Sequence, residues 1–516
     1  MQRKLDQATI NSQVWKACDT FRGTIDPAQY KDYILTMLFV KYISDVHKEK
    51  KAEYHKKYNG NEARIDRALK LERFQLSETA TFDYLYANRN GITVTSKVIN
   101  PTTGELEERS ERKDIGELIN QALESIEEAN RGKLENVFRN IDFNSEPNLG
   151  QTDDRNRRLN NLLNDFVGLD LRPSNLEGND VIGDAYEYLI GNFAANAGKK
   201  AGEFYTPKEV SMLVARLMKP SPKSRIADPA CGSGSLLIKV AKEVGDPNFS
   251  LYGQEVNGST WALARMNMFL HGYDSATIEW GDTLNRPLLL KEDQLQKFDI
   301  VVANPPFSLD KWGAENAAKD KHRRYEWGVP PKSKADYAFL LHMIHTTNDT
   351  GRVGVVVPHG VLFRSAAEGR IRERIIKENY LKAVIGLPAN LFFGTGIPAA
   401  IMVFDKNKGD NTNVLFIDAS REFGAEKNQN KLRPEDLDKI CETFEAFEPH
   451  EKYSYVASLK EIEENDFNLN IPRYVDTFEE ETLVNVAEMQ KSILTMRKQL
   501  AQVEGQIEDY LKELGY

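Results

Sequence analysis

Two short strings in this chain hold residue types that can do chemistry together. Asp228-Pro-Ala-Cys-Gly-Ser-Gly234 follows the apolar run Arg225-Ile-Ala, and Asn304-Pro-Pro-Phe307 follows Phe298-Asp-Ile-Val-Val-Ala. Each run reads as a strand, and open parallel α/β sheets place ligands at the carboxyl ends of their strands. In the first string, Gly232 and Gly234 allow positive φ and close approach of backbone to ligand. The chain then turns into a helix near Ser235, so free N–H groups can face a carboxylate or a ribose oxygen. A phosphate-binding loop would need Lys-Ser/Thr where Ser235-Leu236 stands. A dinucleotide fingerprint would need a glycine where Leu237 stands. Asp228, Gly232, Ser233, Gly234 and Ser235 are therefore the expected contacts of a nucleoside cofactor.

The second string suits the activation of an aromatic amine, whose lone pair is delocalised into its ring. Two acceptors that bind its hydrogens draw the nitrogen toward tetrahedral geometry. Asn304 offers a side-chain carbonyl and Pro305 a backbone carbonyl, while Pro305 and Pro306 bring no competing N–H and have fixed φ. Asn304, preceding proline, is biased to extended backbone. Phe307 can stack on a base that has left its duplex, worth roughly 1–3 kcal/mol. Alone, the string fits an ordinary Pro-Pro turn equally well. Placed on the same sheet edge as Asp228, it predicts methyl transfer from S-adenosylmethionine to the exocyclic amine of a base.

Three further places belong with these. Glu255 ends the strand Leu251-Tyr-Gly-Gln, where an acid can accept hydrogen bonds from both ribose hydroxyls. Asp282 follows Thr277–Trp280 and can bond an adenine amino group; both acids also fit as helix caps. Upstream, Glu203-Phe-Tyr-Thr-Pro-Lys208 leads into a helix over 209–218. Thr206 reads as its N-cap and Pro207 as its first residue. The free N–H groups there can meet a carboxylate, with Phe204 or Tyr205 against adenosine.

The elements that must position these residues fall into three parts. Residues 1–170 read as a mainly helical domain, with an all-round apolar helix over Tyr30–Ser44, another over Ile115–Ala129, and a small hairpin turning at Asn100–Gly104. Residues 171–475 alternate strands and helices and predict a doubly wound, Rossmann-like α/β sheet. Its strands are Arg225–Ala227, Leu251–Gln254, Thr277–Trp280, Phe298–Ala303, Val353–Val357, Ala383–Gly386 and Ala400–Phe404, with Val414–Asp418 a further candidate. A long polar insertion at 308–335 interrupts it. Within it, Lys311, Lys319, Lys321, Arg323 and Arg324 alternate with Trp312, Tyr325 and Trp327, a pattern that suits DNA phosphates and an extruded base, or else a merely solvated loop. In residues 476–516, Val486, Met489, Ile493, Met496, Leu500, Val503, Ile507, Tyr510 and Leu514 form a heptad seam, which serves either subunit assembly or packing on its own domain.

Composition bounds the class. The 516 residues carry a formal net charge of −10, so unaided DNA binding is disfavoured and a cationic partner is expected. The amino terminus lacks a signal-peptide core, no run could span a membrane, and Cys18, Cys231 and Cys441 form no metal or disulfide pattern. The expectation is a reduced cytoplasmic protein with no metal.

The succession of Gly202-Glu-Phe-Tyr-Thr-Pro, Asp228-Pro-Ala-Cys-Gly-Ser-Gly, Glu255, Asp282 and Asn304-Pro-Pro-Phe resembles the gamma class of amino-group DNA methyltransferases. The length, the helical first domain and Asp466-Phe-Asn-Leu-Asn-Ile-Pro-Arg-Tyr474 resemble the modification (M) subunit of type I restriction-modification systems. That resemblance implies adenine-N6 methylation of double-stranded DNA with S-adenosylmethionine. It also implies assembly with a specificity (S) and a restriction (R) subunit, with two M chains per S subunit. A stand-alone methyltransferase of RNA or protein glutamine, and a non-catalytic cofactor-binding scaffold, are the competing readings.

Overall fold

The computed structural model describes residues 4–23, 25–99, 106–178, 180–196, 205–392, 396–426, 429–477 and 486–515. The chain falls into two compact units, Met1–Val475 and Asp476–Tyr516. The longer helices of the first unit are α1 (Gln7–Lys16), α2 (Pro27–Lys57), α3 (Ile115–Ala129), α4 (Thr152–Val167) and α5 (Val181–Asn196). They continue with α6 (Lys208–Met218), α7 (Ser235–Val244), α8 (Gly258–Leu270), α9 (Asp336–Thr346), α10 (Ala367–Lys377) and α11 (Pro434–Ala446).

Helix α2 begins at Pro27, whose missing N–H costs nothing at that position. The apolar stretch foreseen at Tyr30–Ser44 is buried along nearly its whole length. Lys41 of this stretch pairs with buried Asp45, a single turn on, at 2.7 Å. Phe39 reaches Phe269 of α8 at 5.4 Å between ring centroids, so helical region and sheet region share a continuous core. A hairpin of Ile92–Ile99 with Leu106–Lys113 is present; its foreseen turn at Asn100–Gly104 lies outside the described residues.

The central sheet has nine strands: β1 (Arg225–Asp228), β2 (Ser250–Glu255), β3 (Thr277–Trp280), β4 (Phe298–Ala303), β5 (Thr347–Pro358), β6 (Leu381–Gly386), β7 (Ala399–Asp405), β8 (Val414–Asp418) and β9 (Ser454–Ala457). Their order is β3-β2-β1-β4-β5-β7-β6-β8-β9. Strands β1 to β5 pair in parallel, with Ile226 opposite Leu251 on one side and Ile300 on the other. Strand β7 is antiparallel to both β5 and β6. The order reverses between β1 and β4, and that reversal opens a crevice at the carboxyl ends of these strands. Strand β9, four residues paired antiparallel with β8, is too short to show a period in sequence.

The insertion after β4 is mostly irregular, with one short helix at Ala314–Ala317. Its aromatics turn inward. Trp312 and Tyr325 are buried with ring centroids 5.5 Å apart, and the Trp312 indole donates to the Pro331 carbonyl at 2.8 Å. In the second unit helix α12 (Val486–Glu513) leaves Met489, Ile493, Met496, Leu500, Val503, Ile507 and Tyr510 exposed.

Candidate active site

Four parallel neighbours, β4-β1-β2-β3, bring their carboxyl ends together. After β1 the chain turns through Gly232 (φ +54°) and Gly234 (φ +80°) into α7. The positive φ of Gly234 favours glycine at this turn, and a Cβ there would lie 2.7 Å from Met268 Cε, the movable end of that side chain. Glu255, ending β2, accepts the Gly232 N–H at 3.0 Å and the Asn257 N–H at 2.8 Å, one through each carboxylate oxygen. Burial raises its carboxyl above the usual range. Asp228 is enclosed more completely: its carboxylate accepts the Ala230 N–H at 2.9 Å, and burial, with Glu255 adding to it, pushes its carboxyl up to about 8. Asn267 of α8 holds the turn from behind, donating to the Ser233 carbonyl at 2.9 Å. Nothing in the periodicity of α8 marks it, since it is a polar residue on an almost wholly buried helix.

Asn304 stands one residue past β4. Its amide nitrogen donates to the Thr206 hydroxyl at 3.1 Å, while its carbonyl Oδ1 is buried and has no hydrogen-bond partner among the described residues. Thr206 is therefore not the helix cap expected of it. Pro207 occupies the cap position of α6, without a side-chain bond, and the Thr206 hydroxyl is spent on Asn304. Pro305 is buried, and Phe307 meets Phe392 edge-on at 5.6 Å.

A cleft of about 680 Å³ runs along this edge, with Glu255, Val256 and Asp282 among its walls together with Pro305, Pro306 and Phe307. Ala230 belongs both to it and to a narrow slot bounded by Thr206, Gly232, Ser233 and Asn304. The size suits a nucleoside-sized ligand. Asp282 already accepts the N–H groups of Leu284 and Asn285 at 2.9 and 3.1 Å, so it shapes the turn after β3 as well as facing the cleft. Ser233 and Ser235 hydroxyls are 3.1 Å apart at the start of α7. An unpartnered buried acceptor, a glycine turn and an acid at the next strand end fit the amino-nucleoside chemistry of S-adenosylmethionine and its substrate.

The remaining expected site residues separate. Glu203 and Phe204 lie outside the described residues. Tyr205 borders the slot, but its ring rests on Gly191 of α5, with the phenol oxygen 2.9 Å from where a Cβ there would stand. The Lys208 side chain is exposed at the start of α6. Lys311, Lys319, Lys321 and Arg323 are exposed, with Arg323 paired to Glu326 at 3.0 Å. Arg324 is a correction. It is 2% exposed and donates to Asp320 (2.8 Å), to the Thr283 and Leu284 carbonyls (2.9 and 2.7 Å) and toward His342 (3.1 Å). A guanidinium so enclosed cannot reach a phosphate; it fastens the insertion to the turn after β3.

Parallel strands β4-β1-β2-β3 with a glycine turn after β1, an acid closing β2 and Asn-Pro-Pro-Phe after β4 define a methyltransferase of the amino-group type. Residues 177–482 match the family described as N-6 DNA Methylase, and residues 10–166 match the HsdM N-terminal domain. The type I restriction enzyme MpnII methylase subunit of Mycoplasma pneumoniae is 31% identical over 98% of this chain and 96% of its own length. The HindI methylase subunit of Haemophilus influenzae is 32% identical over 78% of this chain and 93% of its own. The solved methyltransferase subunit of a type I restriction-modification system from Streptococcus thermophilus is 36% identical and superposes with a TM-score of 0.78, over 92% of this chain and all of that one. The chain belongs to the N-6 DNA methylase family, among the methylase subunits of type I restriction enzymes.

Proposed function

We propose that this chain methylates the N6 amine of adenine at a specific site in double-stranded DNA, using S-adenosylmethionine. It does so within a complex that includes a specificity and a restriction subunit, with two copies of this chain per specificity subunit. S-Adenosylmethionine, when bound, supplies a methyl group carried on positively charged sulfur. Glu255 accepts the ribose hydroxyls, the Gly232–Gly234 turn lets backbone approach the ligand, and Asp282 receives the adenine amino group. Asn304 Oδ1 accepts one hydrogen of the target amine and the Pro305 carbonyl the other, localising the nitrogen lone pair. Phe307 receives the face of the extruded base.

One observation carries this reading: Asn304 Oδ1 is buried beside the cleft with no partner among the described residues, and a buried acceptor left so costs about 1–3 kcal/mol unless a ligand satisfies it. Lys311, Lys319, Lys321 and Arg323 give the acidic chain a local cationic surface for DNA. The division of labour is 1–170 helical, 171–475 catalytic and 476–516 for assembly through the apolar row of α12. Among the described residues no helix is long and apolar enough to cross a membrane. Sequencing that detects modified bases, in cells expressing this chain with its partner subunits, should show N6-methyladenine in one bipartite or continuous motif. Asn304→Ala should erase it. Methylation of cytosine alone, or a signal that survives Asn304→Ala, would overturn the reading.

A further inference from the structure

Phe307 hands the chain on to Ser308, whose backbone is held at φ +52°. A residue with a Cβ avoids that left-handed region. Groups from later in the chain hold it there. The Asp336 carboxylate, at the start of α9, accepts the Ser308 N–H at 2.9 Å. Its other oxygen accepts from Arg364 Nη1 at 2.9 Å, and Arg364 Nη2 donates to the Ser308 hydroxyl at 3.3 Å. Glu368 takes a further bond from Arg364 Nη1 at 3.2 Å. The Asp336 and Glu368 side chains are each 2% exposed, so little water competes for these bonds. Gly360 makes the space: a Cβ there would lie 2.6 Å from Arg364 Nε.

Ser308 lines the cleft, whereas Asp336 and Arg364 are not among the described residues that do. The pair therefore acts on the site through Ser308. We propose that Asp336 and Arg364 are positioning residues for methyl transfer. They hold the exit of the Asn304–Phe307 turn in left-handed backbone, which fixes Phe307 against Phe392 and sets the Pro305 carbonyl at the cleft. Without the clamp Ser308 relaxes to negative φ and carries the turn with it. The inference rests on reading Asn304–Phe307 as the amine-binding turn.

Single-turnover methylation by the complex reconstituted with its specificity subunit tests this, alongside calorimetry with S-adenosylmethionine. Asp336→Asn should slow methyl transfer by about 100-fold, the effect of a misplacement near 1 Å, and leave cofactor affinity within about twofold. Ser308→Gly added to Asp336→Asn should recover about tenfold, because glycine takes positive φ without the steric cost. Gly360→Ala displaces Arg364 while sparing Asp336, should give an intermediate loss, and carries the test alone if Asp336→Asn does not fold. A wild-type rate in Asp336→Asn or Gly360→Ala overturns the proposal. So does a loss in Asp336→Asn that Ser308→Gly leaves untouched, since that marks general packing damage. A wild-type rate in Asn304→Ala would instead remove the reading of the turn on which the proposal rests.

Discussion

The Asn304 amide nitrogen donates to the Thr206 hydroxyl at 3.1 Å, and that bond decides which end of the amide is left unbonded beside the slot. With the nitrogen engaged, the carbonyl is the end left to accept, as the proposed binding of the amine requires. Thr206→Val removes the anchor while keeping the side-chain shape. Methyl transfer should then fall by about 10- to 100-fold, with S-adenosylmethionine affinity little changed, because only the orientation of Asn304 is lost. Single-turnover kinetics beside calorimetry would check it. An unchanged rate would mean that the amide orients itself without Thr206.

Glu255 serves the glycine turn and the proposed ribose site together. Its Oε2 accepts the Gly232 N–H at 3.0 Å, so Glu255→Ala loosens the turn and leaves ribose hydroxyls without acceptors. Cofactor binding should weaken by roughly 1–3 kcal/mol. Calorimetry on the purified chain measures this directly, and equal affinity in a folded variant would remove Glu255 from the site.

Asp228 should make stability depend on pH. Burial raises its carboxyl to about 8 in the folded protein, whereas in the unfolded chain it ionises near the ordinary value of about 3.9. Between those values the folded state keeps a proton that the unfolded state gives up, so stability falls as pH rises. The contribution is full below about pH 4 and gone above about pH 8. Urea unfolding of the wild type and of Asp228→Asn, from about pH 5 to about pH 9, should show the variant gaining on the wild type until about pH 8 and then running parallel. Parallel curves throughout would show that Asp228 does not hold that proton.

Arg324 and Arg323 are neighbours with opposite expected phenotypes. Arg324→Ala strands the Asp320 carboxylate and two carbonyls in the interior, and should cost about 3–5 kcal/mol of stability. Arg323→Ala should leave stability alone, weaken DNA binding by the complex, and lower the slope of log affinity against log salt by about 1. Thermal unfolding and a salt series would separate the two. Loss of DNA affinity in a fully stable Arg324→Ala protein would refute the buried role.

The exposed apolar row of α12, from Met489 through Tyr510, should be the part that binds the specificity subunit. Truncation after Val475 should keep unit 1 folded, with unchanged S-adenosylmethionine affinity, and abolish co-purification with that subunit. Retained co-purification would place the contact elsewhere.

The sequence by itself determined what is local along the chain. Gly232, Gly234, Glu255 and Asn304 sit at strand ends, so apolar runs followed by polar or glycine residues disclosed them without knowledge of the sheet order. The heptad spacing of 486–514 was legible for the same reason: period is a property of a single segment. Tertiary structure decided whatever depends on distant partners. Antiparallel β7 lies between β5 and β6 because of strand pairing, which the alternation of elements does not encode. Thr206, 98 residues before Asn304, looked like a cap until the sheet brought the two together. Arg324 looked like one cation in a basic loop, yet carbonyls 41 and 40 residues upstream bury it. Ser308 carries no sign of its left-handed backbone, because Asp336 and Arg364, 28 and 56 residues later, impose it. Burial and hydrogen-bond satisfaction are set by which segments meet, and a guanidinium or hydroxyl has the same side chain whether it faces water or a carbonyl.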